Sequence, residues 1–365
     1  KIKASIVNRM KVAVPEITDL SESNIFIIIA GLFAGLVEQL NYYIDQVARE
    51  SFITTARRYS SVIKITRLLD YRVRSRIGST VDVRITAVDG QGNPVILSSN
   101  YTFNSGIIVK TDMGIQFVTQ RKATIFAGTS FVVIGARQGQ LVQNQVIGTT
   151  TSNPNQYFEL NQAYRHDSLQ ITINGQTWEF RKTFAYSGPL DKHFIVQVNE
   201  GKQIFVLFGN GINGAIPPLG QNILATYYSC AGIEGNVEAN TVVIFDTSTS
   251  PIPPSGVSKF TVGNDLPAIG GLEIEDIERI RKNAPLSIRT LDRAVTKQDY
   301  QDLALLVPGV GKTSVNFNTQ LKQISIYVAP DEGGTASSLL LRDVEDYFDD
   351  KKIISIGIER YFERD

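Results

Sequence analysis

The chain has 365 residues, a length that usually forms about two or three domains rather than one. Its 36 basic and 36 acidic residues cancel, which excludes a strong long-range attraction to nucleic acid or to an anionic membrane. The single cysteine, Cys230, excludes an internal disulfide and a thiolate metal cage, so we expect no cofactor and no metal. The two histidines, His166 and His193, lack a metal-binding spacing and are expected on the surface or in loops.

Residues 20–70 follow the 3.6-residue period of amphipathic helices. The run 25–37 is apolar on every side, and we expect helices of other chains to cover it. It is shorter than the roughly 20 residues that a membrane-spanning helix needs, so no membrane insertion is expected. The positions expected to make contacts in a helical bundle are Leu32, Leu36, Leu40, Tyr43, Val47, Phe52 and Tyr59.

At about Gly78 the period changes to two, and apolar residues alternate with polar ones over 81–87. Short β-branched runs separated by glycine and asparagine then continue to about residue 260. Asn174-Gly175 is a preferred two-residue hairpin turn, because both positions tolerate a positive φ. A second hairpin is expected between 194–198 and 203–208. The pattern indicates a central antiparallel β-domain of hairpins.

Glycines mark demanding turns in the second half of this region. The segment 208–214 holds three glycines and two asparagines, which tolerate a positive φ and indicate a tight path between two strands. The glycines expected to have a structural role in turns are Gly209, Gly211, Gly214 and Gly235.

Helices and strands alternate toward the C-terminus. The elements expected there are helices over 273–284 and 300–306, strands over 315–317 and 323–329, a helix over 338–349 and a strand over 353–360. Thr296 and Asp299 have the spacing of a capping box before the second helix. The expected fold is therefore α+β and multidomain. It comprises an N-terminal helical bundle region over 1–77, a central antiparallel β-domain over 78–260 and a small C-terminal α+β domain over 261–365.

Sequence motifs for catalysis or nucleotide binding are weak. Gly311-Lys312-Thr313 lacks the upstream glycine of a phosphate-binding loop, and it follows a helix where such a loop follows a strand. The acidic cluster within 343–350 is expected on the solvated face of a helix. Serine, histidine and acidic residues are not grouped in any nucleophile pattern. We expect no enzymatic activity.

Basic residues cluster over 57–76, where Asp70 is the one acidic residue. Contact with phosphate, pairing with the acidic surface of a partner subunit, and plain solvation of an exposed face all agree with this pattern.

Several motifs in a fixed order resemble the baseplate J family, the wedge proteins of contractile phage tails. In the β-region they are Phe208-Gly209-Asn210-Gly211 with Gly214, Pro217-Pro218-Leu219-Gly220, Tyr227 and Gly235-Asn236-Val237. Toward the C-terminus they are Gly270-Gly271 with Glu273, Arg281-Lys282-Asn283-Ala284-Pro285, Arg293-Ala294-Val295-Thr296 before Asp299-Tyr300, Val307-Pro308-Gly309-Val310, and Ile324, Tyr327, Val328 and Pro330 with Gly333-Gly334. Asn210 departs from the family, which often has aspartate there, and Ser229-Cys230-Ala231 replaces a more glycine-rich stretch.

The resemblance implies a structural subunit of the virion, located in the tail baseplate and assembled in the host cytoplasm. Members pair within a wedge, and residues 25–69 would join a second wedge protein in a helical bundle. Residues 273–360 would close a ring of wedges around the hub and spike, next to the sheath-initiator proteins, and this ring opens on contraction. The ring contacts expected on this basis are Glu273, Arg281, Asp299 and Tyr300.

Three alternatives remain open from the sequence. One is a receptor- or carbohydrate-binding tail protein, for which Trp178 offers weak support, although its place after a tight hairpin favours the core. Another is a wedge subunit of a non-viral contractile injection system. The third is a carboxylate-based hydrolase of the cell wall, which only the cluster within 343–350 supports.

Overall fold

The structure, a computed structural model, describes residues 2–69, 71–161, 163–246, 248–318, 320, 323–331 and 333–352, and the backbone of 357–360. It has N-terminal helices, a central region of mostly antiparallel strands and a small C-terminal α+β part, which confirms the predicted fold class. Two compact units divide the chain, Lys1–Leu68 and Leu69–Asp365.

The first unit consists of helices α1 (Ile2–Ala13), α2 (Ile25–Glu50) and α3 (Tyr59–Leu68). The side chain of Asn24 accepts a hydrogen bond from the backbone N–H of Phe26 and caps α2. At the other end the Glu50 carboxylate accepts the backbone N–H groups of Arg57 at 3.0 Å and Arg58 at 3.1 Å, which fixes the turn into α3.

The central region is built from two large sheets and one two-stranded sheet. The first large sheet has the strand order β14-β3-β4-β6-β1-β15, the second β7-β13-β9-β10-β11-β12-β8, and β2 pairs with β5. The strands are β1 Thr80–Val88, β2 Tyr101–Phe103, β3 Ile108–Thr111, β4 Gln116–Thr119, β5 Ala123–Ile125, β6 Phe131–Gln138, β7 Gln140–Thr149, β8 Tyr157–Leu160, β9 Gln170–Ile173, β10 Gln176–Phe180, β11 His193–Val198, β12 Ile204–Phe208, β13 Asn222–Ser229, β14 Val242–Phe245 and β15 Lys259–Gly263.

The predicted hairpins are confirmed. β9 and β10 pair across Asn174 and Gly175, which have φ values of 50° and 70°, and β11 pairs with β12. The alternation predicted for β1 places Val81 and Val83 in the core of the first large sheet. One strand pair differs from the predicted antiparallel arrangement: β10 and β11 run parallel.

The C-terminal part contains α4 (Ile277–Thr290), α5 (Lys297–Leu305), β16 (Val310–Asn318), β17 (Gln323–Pro330), α6 (Ser338–Phe348) and β18 (Gly357–Arg360). Both halves of the predicted capping box, Thr296 and Asp299, are present at α5. Helix α4 begins later than predicted, because the side chain of Asp276 caps it, and it continues through Pro285. Of the strand predicted over 353–360, the part over 353–356 lies outside the described residues.

Helix α6 packs on the first large sheet instead of presenting a wholly solvated acidic face. The carboxylate of Asp343 pairs with Arg137 of β6, and Ser338 at the start of α6 donates its backbone N–H to Asp82 of β1 at 2.9 Å. The prediction that Asp343 faces solvent is therefore wrong, because this carboxylate anchors the helix to the sheet. Asp346, Asp349 and Asp350 are exposed as predicted.

Residues 71–80, called the linking segment below, lie between parts of the chain that are distant in sequence. On one side the Arg76 carbonyl accepts the N–H of His166 at 2.8 Å. On the other, Ile77 and Leu272 exchange backbone hydrogen bonds of 2.9 and 3.0 Å, and the Arg74 carbonyl accepts the N–H of Glu275 at 3.1 Å. The segment thereby joins the central region to the start of the C-terminal part.

Candidate assembly surfaces

Helix α2 carries the largest exposed apolar surface of the first unit. Its buried residues are Ile27, Ala30 and Ala34, a narrow stripe at helical spacing. Around the rest of the helix, apolar side chains are exposed: Ile25, Phe26, Ile28, Ile29, Leu32, Phe33, Leu36, Val37, Leu40, Tyr42, Tyr43, Ile44 and Val47. A large contiguous apolar patch on a protein surface marks a site that another molecule covers.

The predicted bundle residues fall mainly on this exposed surface. Leu32, Leu36 and Leu40 are 67%, 57% and 59% exposed. Tyr43 and Val47 continue the same helix, and Phe52 is exposed in the turn that follows it. Tyr59 is half-buried at the start of α3 and contributes less surface.

The length of α2 corrects one argument from the sequence. The helix continues beyond the apolar run, and its whole length is 26 residues, about 39 Å at the usual rise of 1.5 Å per residue. Within the described residues it is long and apolar enough, by length and composition alone, to cross a membrane. The prediction that shortness excludes a membrane span is therefore wrong. The second half of the helix carries Glu38, Asp45 and Arg49, which a bilayer centre disfavours.

Two of the four predicted ring residues have roles inside the fold. Tyr300 is 0% exposed, and its ring stacks on that of Phe348 at 5.3 Å. Asp299 accepts the backbone N–H groups of Thr296 at 2.8 Å and Val295 at 3.2 Å, which caps α5. A direct contact of Tyr300 with another subunit is incompatible with its burial. The sequence pattern marked these positions because the helix start and the core need them.

The other two ring residues lie at the surface and already have ionic partners. Glu273 accepts a hydrogen bond from Arg76 Nε at 2.7 Å, which ties it to the linking segment. Arg281 pairs with Glu278 on α4 at 2.5 Å. Both pairs are partly exposed, so each can exchange partners with a neighbouring subunit at small cost.

The glycine turn over 208–214 follows a tight backbone path. A Cβ atom at Gly209 would lie 2.2 Å from the carbonyl oxygen of Gly214, closer than any real Cβ contact. Gly211 and Gly214 both have a φ of 83°, in the left-handed region that favours glycine. At Gly235 glycine is favoured for a different reason, because a Cβ atom there would lie 3.1 Å from the side chains of Gln138 and Ser79.

The basic run over 57–76 divides into two parts. Arg57 and Arg58 are exposed in the first unit. In the linking segment, Arg72 pairs with Asp167 at 2.6 Å, Arg76 pairs with Glu273, and Arg74 donates to the carbonyl oxygen of Leu306. Arginines of the linking segment therefore act within the fold, an outcome that none of the three readings of the run anticipated.

The structure brings together two serine, histidine and acid groups that the sequence did not reveal. In the first, Ser187 Oγ lies 2.8 Å from His193 Nδ1, and Glu179 lies 3.6 Å from Nε2. Arg181 Nε donates to that same Nε2 at 3.4 Å. With Nε2 as the acceptor from Arg181, a neutral ring carries its proton on Nδ1 and donates a hydrogen bond to Ser187. In that tautomer the histidine cannot act as a base toward the serine.

The second group contains His166, whose Nδ1 accepts the backbone N–H of Ser75 at 3.2 Å and lies 2.9 Å from its hydroxyl oxygen. Burial, followed by the charge of Arg72, lowers the pKa of His166 to about 3, so the ring is neutral. Ser75 is buried and offers no access to a substrate. Neither group has the arrangement of a hydrolase site.

The prediction that the histidines are surface or loop residues is wrong for His193, which is buried at the start of β11. His166 does lie in a turn, although its side chain is only 13% exposed. Each ring satisfies a serine hydroxyl that the fold has removed from water. Spacing along the sequence could not show this, because the serine of His166 lies in the distant linking segment.

Other chemistry finds little support. Within the described part of the chain, no group of three or more histidine, cysteine and acidic side chains could hold a metal ion. Trp178 is buried and its ring packs edge-on against that of Phe208 at 5.1 Å, as its position after a hairpin predicted. A sugar cannot stack on it there.

Residues 1–68 match the family described as bacteriophage baseplate protein, N-terminal domain. The match ends where the first compact unit ends, at Leu68. It supports a phage-type baseplate protein with a structural role, in contact with other baseplate proteins. No curated protein sequence matches the chain.

Among solved structures, the chain is similar to one from the baseplate of the anti-feeding prophage (AFP), determined by electron cryomicroscopy with 6-fold symmetrisation. The alignment covers 98% of this chain and 70% of the other, with 13% sequence identity and a TM-score of 0.27. A likeness of this degree carries no argument about the fold or the function.

Proposed function

We propose that this chain is a structural wedge subunit of a contractile phage-tail baseplate, joined to its neighbours by a helical bundle that includes α2. The observation that carries the proposal is the apolar surface of α2, which its own unit leaves exposed. The family match of residues 1–68 supports a baseplate as the setting.

The pattern of burial on α2 favours more than one partner helix. Helix α1 packs against α2, and the buried stripe of Ile27, Ala30 and Ala34 has the small residues that let two helices approach closely. Helices pack with their axes about 8–10 Å apart, so one neighbour covers only one side. Full burial of an exposed large apolar side chain contributes roughly 1.5–3 kcal/mol, and each of these partly covered side chains would contribute a fraction of that.

In this proposal the partners are a second copy within a wedge, a second wedge protein in the bundle, and the hub, spike and sheath-initiator proteins. Residues 273–360 would take part in a ring of wedges, with Glu273 and Arg281 as surface contacts. The chain would be located in the tail baseplate of the virion after assembly in the host cytoplasm. Its work would be binding and a change of subunit arrangement on contraction, without catalysis.

The experiment that tests the bundle replaces Leu36 and Leu40 together with aspartate. Two carboxylates in the exposed apolar surface of α2 should abolish assembly of the wedge, measured by co-sedimentation with the other baseplate proteins. The matched control replaces Gln39 and Asn41 with aspartate, which adds the same charge to polar, exposed positions of the same helix. Assembly should survive in the control. Assembly of the Leu36→Asp, Leu40→Asp variant would show that α2 is not the bundle element.

A further inference from the structure

A cavity of about 460 Å³ lies within the second unit, at the junction of the central region and the C-terminal part. Arg72 and Arg74 of the linking segment line it together with His166. Lys182, which follows β10, and Asp292, which follows α4, lie opposite each other and form an ion pair of 3.4 Å. This cavity is called the cleft below. Its volume is in the range of sites that bind small ligands or a few side chains.

Positive charge exceeds negative charge in the cleft. Arg72 pairs with Asp167 and Lys182 pairs with Asp292, but the guanidinium of Arg74 donates to a backbone carbonyl, that of Leu306. No carboxylate among the described residues forms an ion pair with Arg74. A half-buried guanidinium without a carboxylate gains most from an incoming anion, because a charge-assisted pair away from bulk water is strong.

The neutral state of His166 is consistent with the excess of positive charge in the cleft. After burial, the largest cause that lowers the pKa of His166 is the charge of Arg72, and Arg74 acts in the same direction. The ring therefore adds no charge of its own near neutral pH. The guanidinium of Arg72 is held in place by the ring of Phe180, 4.4 Å away, as well as by Asp167.

The other wall of the cleft is apolar and strained. Ile288 and Leu291, at the C-terminal end of α4, line it and are 39% and 77% exposed. Leu291 has a φ of 47° and Asp292 a φ of 57°, two successive left-handed residues of which neither is glycine. Such a conformation costs on the order of 1–3 kcal/mol per residue and is concentrated at functional sites.

We infer that the cleft is a docking site for an acidic peptide segment of another protein chain. A carboxylate of that segment pairs with Arg74, and an apolar side chain beside it packs against Ile288 and Leu291. A phosphate ion would meet the arginines but would leave the apolar wall in water. An apolar peptide would cover the wall but leave Arg74 without an anion. The inference goes beyond the bundle proposal, because the cleft shares no residue with α2.

The test measures binding of a labelled, capped six-residue peptide of alternating glutamate and leucine to the full chain by fluorescence anisotropy at low salt. Matched peptides with glutamine or lysine in place of glutamate control for attachment to apolar surfaces such as α2. The glutamate peptide should bind at least ten-fold more tightly than either control peptide, and salt should weaken its binding because the attraction is between charges.

Two variants locate the site. Arg74→Ala should weaken binding of the glutamate peptide at least ten-fold. Lys182→Ala, at an exposed position, should weaken it about three-fold and leave the fold intact even if Arg74→Ala does not fold. The matched control is Lys122→Ala, an exposed lysine away from the cleft, which should bind as the wild type does.

Each other result overturns the inference. Equal binding of the three peptides would show that only apolar attachment occurs. Full binding by Lys182→Ala and Arg74→Ala would place the site elsewhere. Inorganic phosphate and free glutamate are tested as competitors of the labelled peptide. If phosphate competes at the concentration at which it binds alone, and if the peptide binds no more tightly than free glutamate, the cleft is an anion site and not a peptide site. The Leu36→Asp, Leu40→Asp variant should still bind the peptide, so failure of the bundle and failure of the cleft are distinguishable.

Discussion

Buried polar side chains hold the linking segment to the start of the C-terminal part. Glu275 is buried, and its carboxylate accepts the hydroxyl of Tyr71 at 2.7 Å and the amide of Asn283 at 2.7 Å. The backbone N–H of Arg74 donates to the same carboxylate at 3.3 Å. A buried carboxylate is tolerated only where donors surround it, so the loss of one donor has a large effect.

The change Tyr71→Phe removes one of these donors without changing the shape of the ring. We expect the free energy of unfolding to fall by about 1.5–3 kcal/mol, the usual range for a hydrogen bond to a charged group. Urea denaturation followed by circular dichroism measures it. Tyr186→Phe, at a residue that is 95% exposed, is the control and should leave the midpoint unchanged. Equal stability of the two variants would mean that Glu275 does not depend on Tyr71.

The stability of the second unit should depend on pH through His166. The folded chain holds the pKa of His166 at about 3, against 6.5 for an ordinary histidine, so the unfolded chain takes up the proton first as the pH falls. Stability due to the neutral ring is complete above about pH 6.5 and is lost between about pH 6.5 and 3, by at most about 1.4 kcal/mol per pH unit. The measurement is urea denaturation at pH 7, 6 and about 5.5.

The matched variant for this measurement is His166→Asn, which keeps a hydrogen-bond acceptor near Ser75 but does not titrate. Its stability should change less between pH 7 and about 5.5 than that of the wild type. Parallel curves for the two proteins would contradict the assignment of a neutral, buried His166.

The glycine turn gives a third prediction at a single residue. Gly209→Ala should lower the free energy of unfolding by roughly 1–3 kcal/mol or more, because the added methyl group would overlap the backbone of Gly214. Gly90→Ala is the control, since a Cβ there meets nothing within 4 Å and its φ is not in the left-handed region. Thermal unfolding compares the two. An equal effect of both changes would show that the close approach to Gly214 is not what selects glycine.

At the scale of elements, the sequence was informative where one pattern repeats over a whole element and one face is buried. The strand β1, the hairpin at Asn174-Gly175 and the capping box of α5 were predicted for this reason. Helix α1 was missed because none of its residues is buried in the structure, so the apolar pattern along it is weak. The parallel pairing of β10 with β11 depends on distant packing and left no local signal.

The linking segment was also missed, although its sequence carried a signal. Arg72, Arg74 and Arg76 alternate with Tyr71, Val73, Ser75 and Ile77, and the second set is buried. That period of two is typical of an extended strand. This period was overlooked because the run of arginines suggested an exposed surface. Among the candidate site residues, the exposed apolar positions of α2 could be predicted from their period. The cleft could not, because its residues come together from distant parts of the chain.

Across the two units, bundle formation is proposed for the first unit, and the second unit, which would contribute to the ring, is expected to fold by itself. Two hydrophobic clusters, one in the first large sheet and one in the C-terminal part, lie wholly within Leu69–Asp365. The linking segment also belongs to this unit, so its hydrogen bonds survive removal of the helices.

Deletion of residues 1–68 should therefore leave a folded monomer that unfolds cooperatively. Sedimentation equilibrium gives its mass, and thermal unfolding tests its cooperativity. The full chain should associate under the same conditions, because α2 is present. A fragment that forms the same oligomers as the full chain would place the assembly surface within residues 69–365 and not on α2.

In the proposed assembly, neighbouring protein chains bury the apolar surface of α2. Electron cryomicroscopy of the native particle that contains this chain tests it most directly, by showing what surrounds Leu36 and Leu40. We expect helices of other protein chains packed around α2, with axes about 8–10 Å from its own and both leucines buried between them. A map in which α2 lies in lipid, or in which both leucines face water in the assembled particle, would contradict it.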